Sequence, residues 1–312
     1  MKTGVFLPIS GRAAGADTLR QAAQSAESWG FDSIWAADRI IIPWEIHTPY
    51  PYSGDQGFIV PPDRPFLDSL TCLTFLAACT ERVELGISVL VLPYRQPLHW
   101  AKIATTLDHL SKGRFILGVG VGWMEEEFAA LQASFRDRGR VSDEQLEILK
   151  ELSNTDHTSF TGEFYQFNDI AFYPKPYREG GLPVWVGGEG RRAQRRAATF
   201  GNAWFPYFVR ITPAELSQRF ANVRRLAEEA GRPPEAVRLN CCLPIEVTTQ
   251  PLPQEPDRLA GSPEQLVEAI GRYQSVGVEH LALQFMVPRW PDRLEQMQRF
   301  AEDTLPHLKG TA

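Results

Sequence analysis

"RFILGVGVGWMEEEF", residues 114–128, decides the fold. A β-prone run ends in glycines at every second position, Gly118, Gly120 and Gly122, and Trp123 and the acids Glu125, Glu126 and Glu127 follow. Glycine weakens a strand and packs nothing, so three of them call for a reason. Alternate strand residues share one face, so the three clear that face together. Two readings follow: tight packing in a closed sheet plus a turn, or a bare face that a flat ring or a backbone approaches closely. The spacing GxGxG is not the dinucleotide fingerprint, and no acid ends a following strand.

The same rhythm extends in both directions. Strands are expected at 3–8, 31–38, 82–92, 114–122, 182–188, 202–207, 236–247 and 278–285. Helices are expected at 16–30, 65–80, 97–113, after the fourth strand, and at 191–201, 213–230, 263–276 and 291–308, with Asp17 as the first N-cap. Continuous apolar strands alternating with helices imply a parallel sheet covered on its outer face. Eight such units imply an α/β fold, a (β/α)8 TIM barrel; a doubly wound open sheet is the alternative. No Pro/Gly/Ser-rich linker divides the chain, so 1–312 is expected to be one domain. Two segments break the rhythm. Residues 39–64 form a long aromatic loop after strand two, suited to a lid. Residues 153–181 form an insertion after strand four, a short hairpin plus loop.

Composition narrows the class. Hydrophobic residues make up 43% and charged residues 22%, with net charge −6 and no basic block, which argues against nucleic acid. Neither a signal peptide nor a membrane span is expected. Cys72, Cys79, Cys241 and Cys242 fit no zinc or redox spacing and read as buried, reduced thiols in a cytoplasmic protein. The six histidines are scattered, so no metal is expected.

Barrel active sites gather at the carboxyl ends of the strands. That places Asp38 and Arg39, Ser88, Val89 and Leu90, Gly120, Gly122 and Trp123, the run Gly187, Gly188, Glu189, Gly190, and Pro206 and Tyr207 around the mouth. No nucleophile elbow, zinc motif or P-loop is present, which leaves the chemistry to an organic cofactor. "GGEGRR" (187–192) suits phosphate, with free N–H groups at a helix start and the guanidinium groups of Arg191 and Arg192. A solvated arginine-rich helix is the other reading.

The chain resembles the luciferase-like monooxygenase family of flavin barrels, closest to its coenzyme F420-dependent branch. The resemblance rests on "GFDSIWAAD" (30–38), "ELGISVLVLPYRQP" (84–97), "GRFILGVGVGWMEEEF" (113–128), "GEFYQFNDIAFYPKP" (162–176) and "PVWVGGEGRRAQRRAATFGNAWFP" (183–206). It implies a non-proline cis peptide at Ser88–Val89 bulging against the flavin ring. It implies cofactor contacts from Ser88, Val89, Leu90, Gly120, Gly122, Trp123, Gly187, Gly188, Glu189, Arg191, Arg192 and Pro206. Trp44 and Tyr207 would face the substrate. F420 relatives often carry Asp-His where this chain has Asp38–Arg39, the pair expected to be catalytic; arginine is a poor base but suits an anionic substrate or a reduced deazaflavin. Trp123 replaces a catalytic glutamate of some sugar-phosphate dehydrogenases, which argues against such a substrate. Glu125, Glu126 and Glu127 read equally as a solvated helix N-terminus. Three functions follow: an F420-dependent oxidoreductase acting on a small organic substrate, an FMN-dependent monooxygenase served by a partner reductase, or a non-catalytic flavin-binding barrel. The resemblance further implies a homodimer.

Overall fold

Strands buried on both faces, each followed by a helix with one apolar stripe, can hide their apolar surface in an open sheet with helices on both sides or by closing on themselves. A computed structural model shows that closure; it describes residues 1–52, 57–58, 60–207, 211–255 and 257–309. In chain order the strands are β1 (Lys2–Phe6), β2 (Ser33–Ala36), β3 (Glu84–Val91), β4 (Phe115–Gly120), β5 (Thr158–Thr161), β6 (Gln166–Ile170), β7 (Val184–Gly187), β8 (Ala203–Phe205), β9 (Arg238–Val247), β10 (Leu259–Gly261) and β11 (Val278–Phe285). The helices are α1 (Ala16–Ser28), α2 (Ser69–Ala77), α3 (Pro97–Leu110), α4 (Glu125–Ala130), α5 (Arg138–Asn154), α6 (Arg191–Phe200), α7 (Pro213–Glu229), α8 (Pro263–Ser275), α9 (Trp290–Asp303) and α10 (Leu305–Lys309).

The wall runs β1-β2-β3-β4-β7-β8-β9-β11 and back to β1, every pairing parallel. The closed barrel replaces the open-sheet alternative. β5 and β6 form the antiparallel hairpin expected in the insertion. Neighbouring residues on a strand divide between two cores, as the period of two requires. Val5 and Ile34 join the larger cluster shared with the helices, while Phe6 and Trp35 fill the barrel with Ile116, Trp185, Phe205 and Cys242. The Trp35 ring lies 5.1 Å from that of Trp185 and 4.9 Å from that of Phe205.

Four local expectations are corrected. Gly15, not Asp17, stands at the start of α1, and Asp17 sits in its first turn bonded to Arg20. The short strand β10, parallel to β9, was not foreseen. The last helix breaks at Thr304, ahead of Pro306. All four cysteines are free, but Cys79 is half-exposed rather than buried. Among the described residues no helix is long and apolar enough to cross a membrane.

Candidate active site

The glycines of β4 have a neighbour. At the end of β3 the Ser88–Val89 peptide is cis, and the pairing with β4 skips between Ile87 and Leu90. A Cβ on Gly118 would stand 2.0 Å from the Ile87 carbonyl oxygen, one on Gly120 2.4 Å from a Val89 methyl, and one on Gly122 2.7 Å from a Val91 methyl. A Cβ on Gly187 of β7 would stand 3.0 Å from the other Val89 methyl. The bare face of β4 thus receives the irregular end of β3: a backbone, with the Val89 and Val91 side chains, makes the close approach that the glycines allow. Val89 is seated in that slot, half-buried, beside the barrel-filling cluster. The hydroxyl of Ser88 is buried with no hydrogen-bond partner. Leu90, expected to touch cofactor, is fully buried in the outer core instead.

The end of β2 carries Asp38 and Arg39, each 7% exposed. Asp38 is committed to holding the frame. Its oxygens accept from both Nη atoms of Arg95 (2.7 and 2.8 Å), from Ser69 Oγ (3.0 Å) and from Val91 N (3.0 Å). Those four bonds fill its lone pairs, so Asp38, expected to be catalytic with Arg39, is occupied in anchoring Arg95, Ser69 and the end of β3. Arg39 donates through Nη1 to Glu127, which is 0% exposed. Its guanidinium lies 4.9 Å from the Phe58 ring centroid and 5.2 Å from that of Trp123. Its Nε–H is buried without a partner.

The three acids after Trp123 are not a uniformly solvated helix start. Glu127 accepts from the backbone N–H groups of Ile40 (2.9 Å) and Ile41 (3.1 Å), and from Tyr94 Oη (2.8 Å). Glu126 accepts from His47 N (2.6 Å), Thr48 N (2.9 Å) and Thr48 Oγ1 (2.8 Å). Burial raises the Glu126 pKa, but bonds from its own N–H, His47 and Thr48 outweigh that and bring it to about 2. Together the two side chains clasp the loop after β2 onto the mouth.

That loop lays aromatic rings over the barrel. Tyr50 meets Trp123 at 5.0 Å, Phe58 meets Trp123 at 5.8 Å, and Tyr52 meets Tyr207 at 5.1 Å. Tyr207 in turn lies 6.1 Å from Phe6 inside the barrel. Trp44, expected over the substrate, is 80% exposed, whereas Tyr50, Tyr52 and Phe58 make the ring contacts to Trp123 and Tyr207. Burial, with a small opposing effect of Arg39, pushes the Tyr50 phenol up to about 12.

β7 ends in Gly187, and Gly188 takes the left-handed conformation (φ 98°) open to glycine. Glu189 accepts from Tyr207 N at 3.1 Å, and burial pushes its carboxyl above the ordinary range. Gly190 precedes α6 without any side-chain cap, leaving first-turn N–H groups free, and Arg191 and Arg192 are exposed beside them. Arg196, which the alternative reading of a solvated arginine-rich helix would expose, is buried against Asp143 and Gly139 O. Pro206 is buried, its carbonyl accepting from Cys242 N.

A family profile described as luciferase-like monooxygenase matches residues 1–255. The chain belongs to the luciferase-like monooxygenase family. Its members are oxidoreductases, and the chain is an enzyme of that kind. This luciferase-like chain is 31% identical over 291 residues to an uncharacterised protein of Mycobacterium tuberculosis, covering 91% of this chain and 93% of that one. It is 31% identical over 223 residues to the phthiodiolone/phenolphthiodiolone dimycocerosates ketoreductase of Mycobacterium kansasii, covering 70% and 60%. Its fold matches an F420-dependent secondary alcohol dehydrogenase with TM-score 0.78 at 19% identity, covering 98% of both chains. It also matches a long-chain alkane monooxygenase with TM-score 0.76 at 14% identity, covering 99% and 91%.

The residues of the luciferase-like mouth fit a ring coenzyme with a phosphate-bearing tail. Val89 offers an apolar platform and the Ser88 hydroxyl lacks a partner, while the uncapped start of α6 suits an anion. Sequence reasoning missed Glu127, Glu126, Tyr94, Tyr50, Tyr52 and Phe58 as parts of one assembly. The aromatic content of the loop was the available signal; the partners of the two acids had none, since they lie more than 75 residues away for the lid and 33 for Tyr94.

Proposed function

We propose that the chain is an F420-dependent oxidoreductase that moves a hydride between the deazaflavin and a small organic substrate held under the 39–64 loop. The observation that carries this reading is the Val89 platform, held against Gly120 and Gly187 and packed on the same cluster as Tyr207, which Tyr52 of the loop meets ring to ring. Bound, the deazaflavin supplies a two-electron hydride donor or acceptor and no oxygen chemistry. Ser88 and Val89 would support the ring, with Gly120, Gly122 and Trp123 beside it. Gly187, Gly188, Arg191, Arg192 and the start of α6 would hold the acidic tail, with Pro206 walling the same side. Arg39 and Tyr207 would meet the substrate. Glu189, whose carboxyl burial pushes above the ordinary range, is the group at the mouth suited to holding a proton. The ketoreductase relative and the alcohol dehydrogenase neighbour support carbonyl chemistry.

An FMN-dependent monooxygenase fed by a separate reductase is the second reading, supported by the monooxygenase neighbours. We further infer one domain over 1–312 and a homodimer, from the family resemblance, and a reducing compartment such as the cytoplasm, from the free thiols. Titration of tryptophan fluorescence with F420 and with FMN separates the readings. F420 is expected to bind more tightly than FMN. If neither binds tighter than about millimolar, near −4 kcal/mol, both readings fail; turnover of any substrate rules out a merely binding barrel.

A further inference from the structure

We propose that the mouth takes an uncharged substrate, a ketone or its alcohol on a flat apolar body, and that Arg39 selects it through a hydrogen bond to the substrate oxygen. This rests on the oxidoreductase reading and specifies its substrate class. The walls are aromatic: Tyr50, Tyr52, Phe58, Trp123 and Tyr207 stand ring to ring at 5.0–5.8 Å. Such rings stack on a flat apolar body and reward no charge.

The charge balance of the mouth points the same way. Among the described residues, Arg39 is the cation packed on these rings. Its charge is already matched by Glu127, which is fully buried. A carboxylate or phosphate entering the mouth would shed its hydration and find no uncompensated cation there. Glu189, which accepts from Tyr207 N at the same rim, adds no positive charge. A cationic substrate fares no better, because the Glu127 oxygens are occupied by Arg39, Tyr94, Ile40 and Ile41. An anionic substrate held by Arg39, expected from the sequence, is thereby set aside.

Besides the Ser88 hydroxyl, one buried polar atom at the mouth has no partner among the described residues. Arg39 spends Nη1 on Glu127 and Met124 Sδ, while its buried Nε–H has no acceptor. A buried donor without an acceptor is costly, and a neutral oxygen supplies what it lacks without upsetting the ion pair. Hydrocarbons stack but leave that donor unpaired; ketones and alcohols do both.

The test uses three probes on one ring: 2-acetylnaphthalene, naphthalene and 2-naphthoate. Calorimetric titration is run on the protein alone and again with whichever coenzyme it binds. The ketone is expected to bind about tenfold more tightly than naphthalene, and 2-naphthoate most weakly. Arg39→Met should erase the preference for ketone over hydrocarbon while naphthalene still binds, which also shows that the variant is folded. Glu127→Gln keeps an acceptor for Ile40 and Ile41 but uncovers the guanidinium charge, and should raise 2-naphthoate affinity about tenfold or more. The proposal is overturned if 2-naphthoate binds best to the native protein, if Arg39→Met leaves the preference intact, or if no probe binds at millimolar concentration in either form. Those results are independent of the coenzyme titration. Coenzyme binding with the wrong probe order removes only the substrate assignment. The expected order without coenzyme binding removes only the flavin reading.

Discussion

Gly120 cannot become alanine without moving Val89, since the added carbon would stand 2.4 Å from a valine methyl. Gly120→Ala is therefore expected to destabilise the fold by about 1–3 kcal/mol, the usual range for overpacking. It should also weaken coenzyme binding, because the displaced side chain is the platform. Adding Val89→Ala should restore most of the stability but not the binding, a coupling that a double-mutant cycle in urea melts would expose. Glu127 presents the opposite case, a buried charge that must keep its partner. Glu127→Ala leaves Arg39 buried and unpaired, and is expected to cost about 3–5 kcal/mol in chemical denaturation. Glu189 carries a pH signature. Its carboxyl keeps a proton above the ordinary range, so a rate that depends on that proton should fall only above the raised value, and Glu189→Gln should remove that limb from the kcat/KM profile. At this scale the sequence was legible only where chemistry is local. The glycine spacing pointed to a close approach, but whether a ring or a strand makes it depends on β3, which pairs from 29 to 30 residues away.

Elements were easier to read than their joints. Strand and helix positions follow from runs of Val, Ile, Leu and Phe and from turns closed by Gly30 and Gly113, both left-handed in the structure. β10 escaped notice because three residues, Leu259–Gly261, carry no period. The α4 acids were half-legible: acids do favour a helix N-terminus, which hid their second task. That task is pH-sensitive. Glu126 titrates at about 2 when folded against a reference of 4.5, so its clasp is at full strength above about 4.5 and is lost as pH falls toward about 2. Amide exchange at His47 and Thr48 is expected to accelerate through that window, and Thr48→Val to shift the onset to higher pH. Unchanged exchange between pH 5 and 3 would contradict the clasp.

For the whole molecule, eight repeats of strand and helix pointed to a closed wall, while an open sheet with helices on both sides, which also hides both faces of its strands, stayed the alternative until the pairing of β11 with β1 closed the ring. The contents of the barrel were less accessible, since whether Trp35 and Trp185 point inward depends on register. His280 is buried among them, bonded to Ser33 Oγ at 2.7 Å and edge-on to both tryptophans. Burial first, then Lys2 and the amino terminus, lower its pKa to about 3. Between about 6.5 and 3 the unfolded chain binds a proton there that the folded chain refuses, so acidification favours unfolding by up to about 1.4 kcal/mol per pH unit. His280→Gln should flatten stability against pH between 6.5 and 4.5, read as urea midpoints. The hydrogen-bonded strap over the mouth has a kinetic corollary. A product leaving past that strap would need two carboxylates to surrender their amide partners and a stack of rings to part; escape rather than bond-making would then set the pace of turnover, and kcat is expected to slow in proportion to added microviscogen.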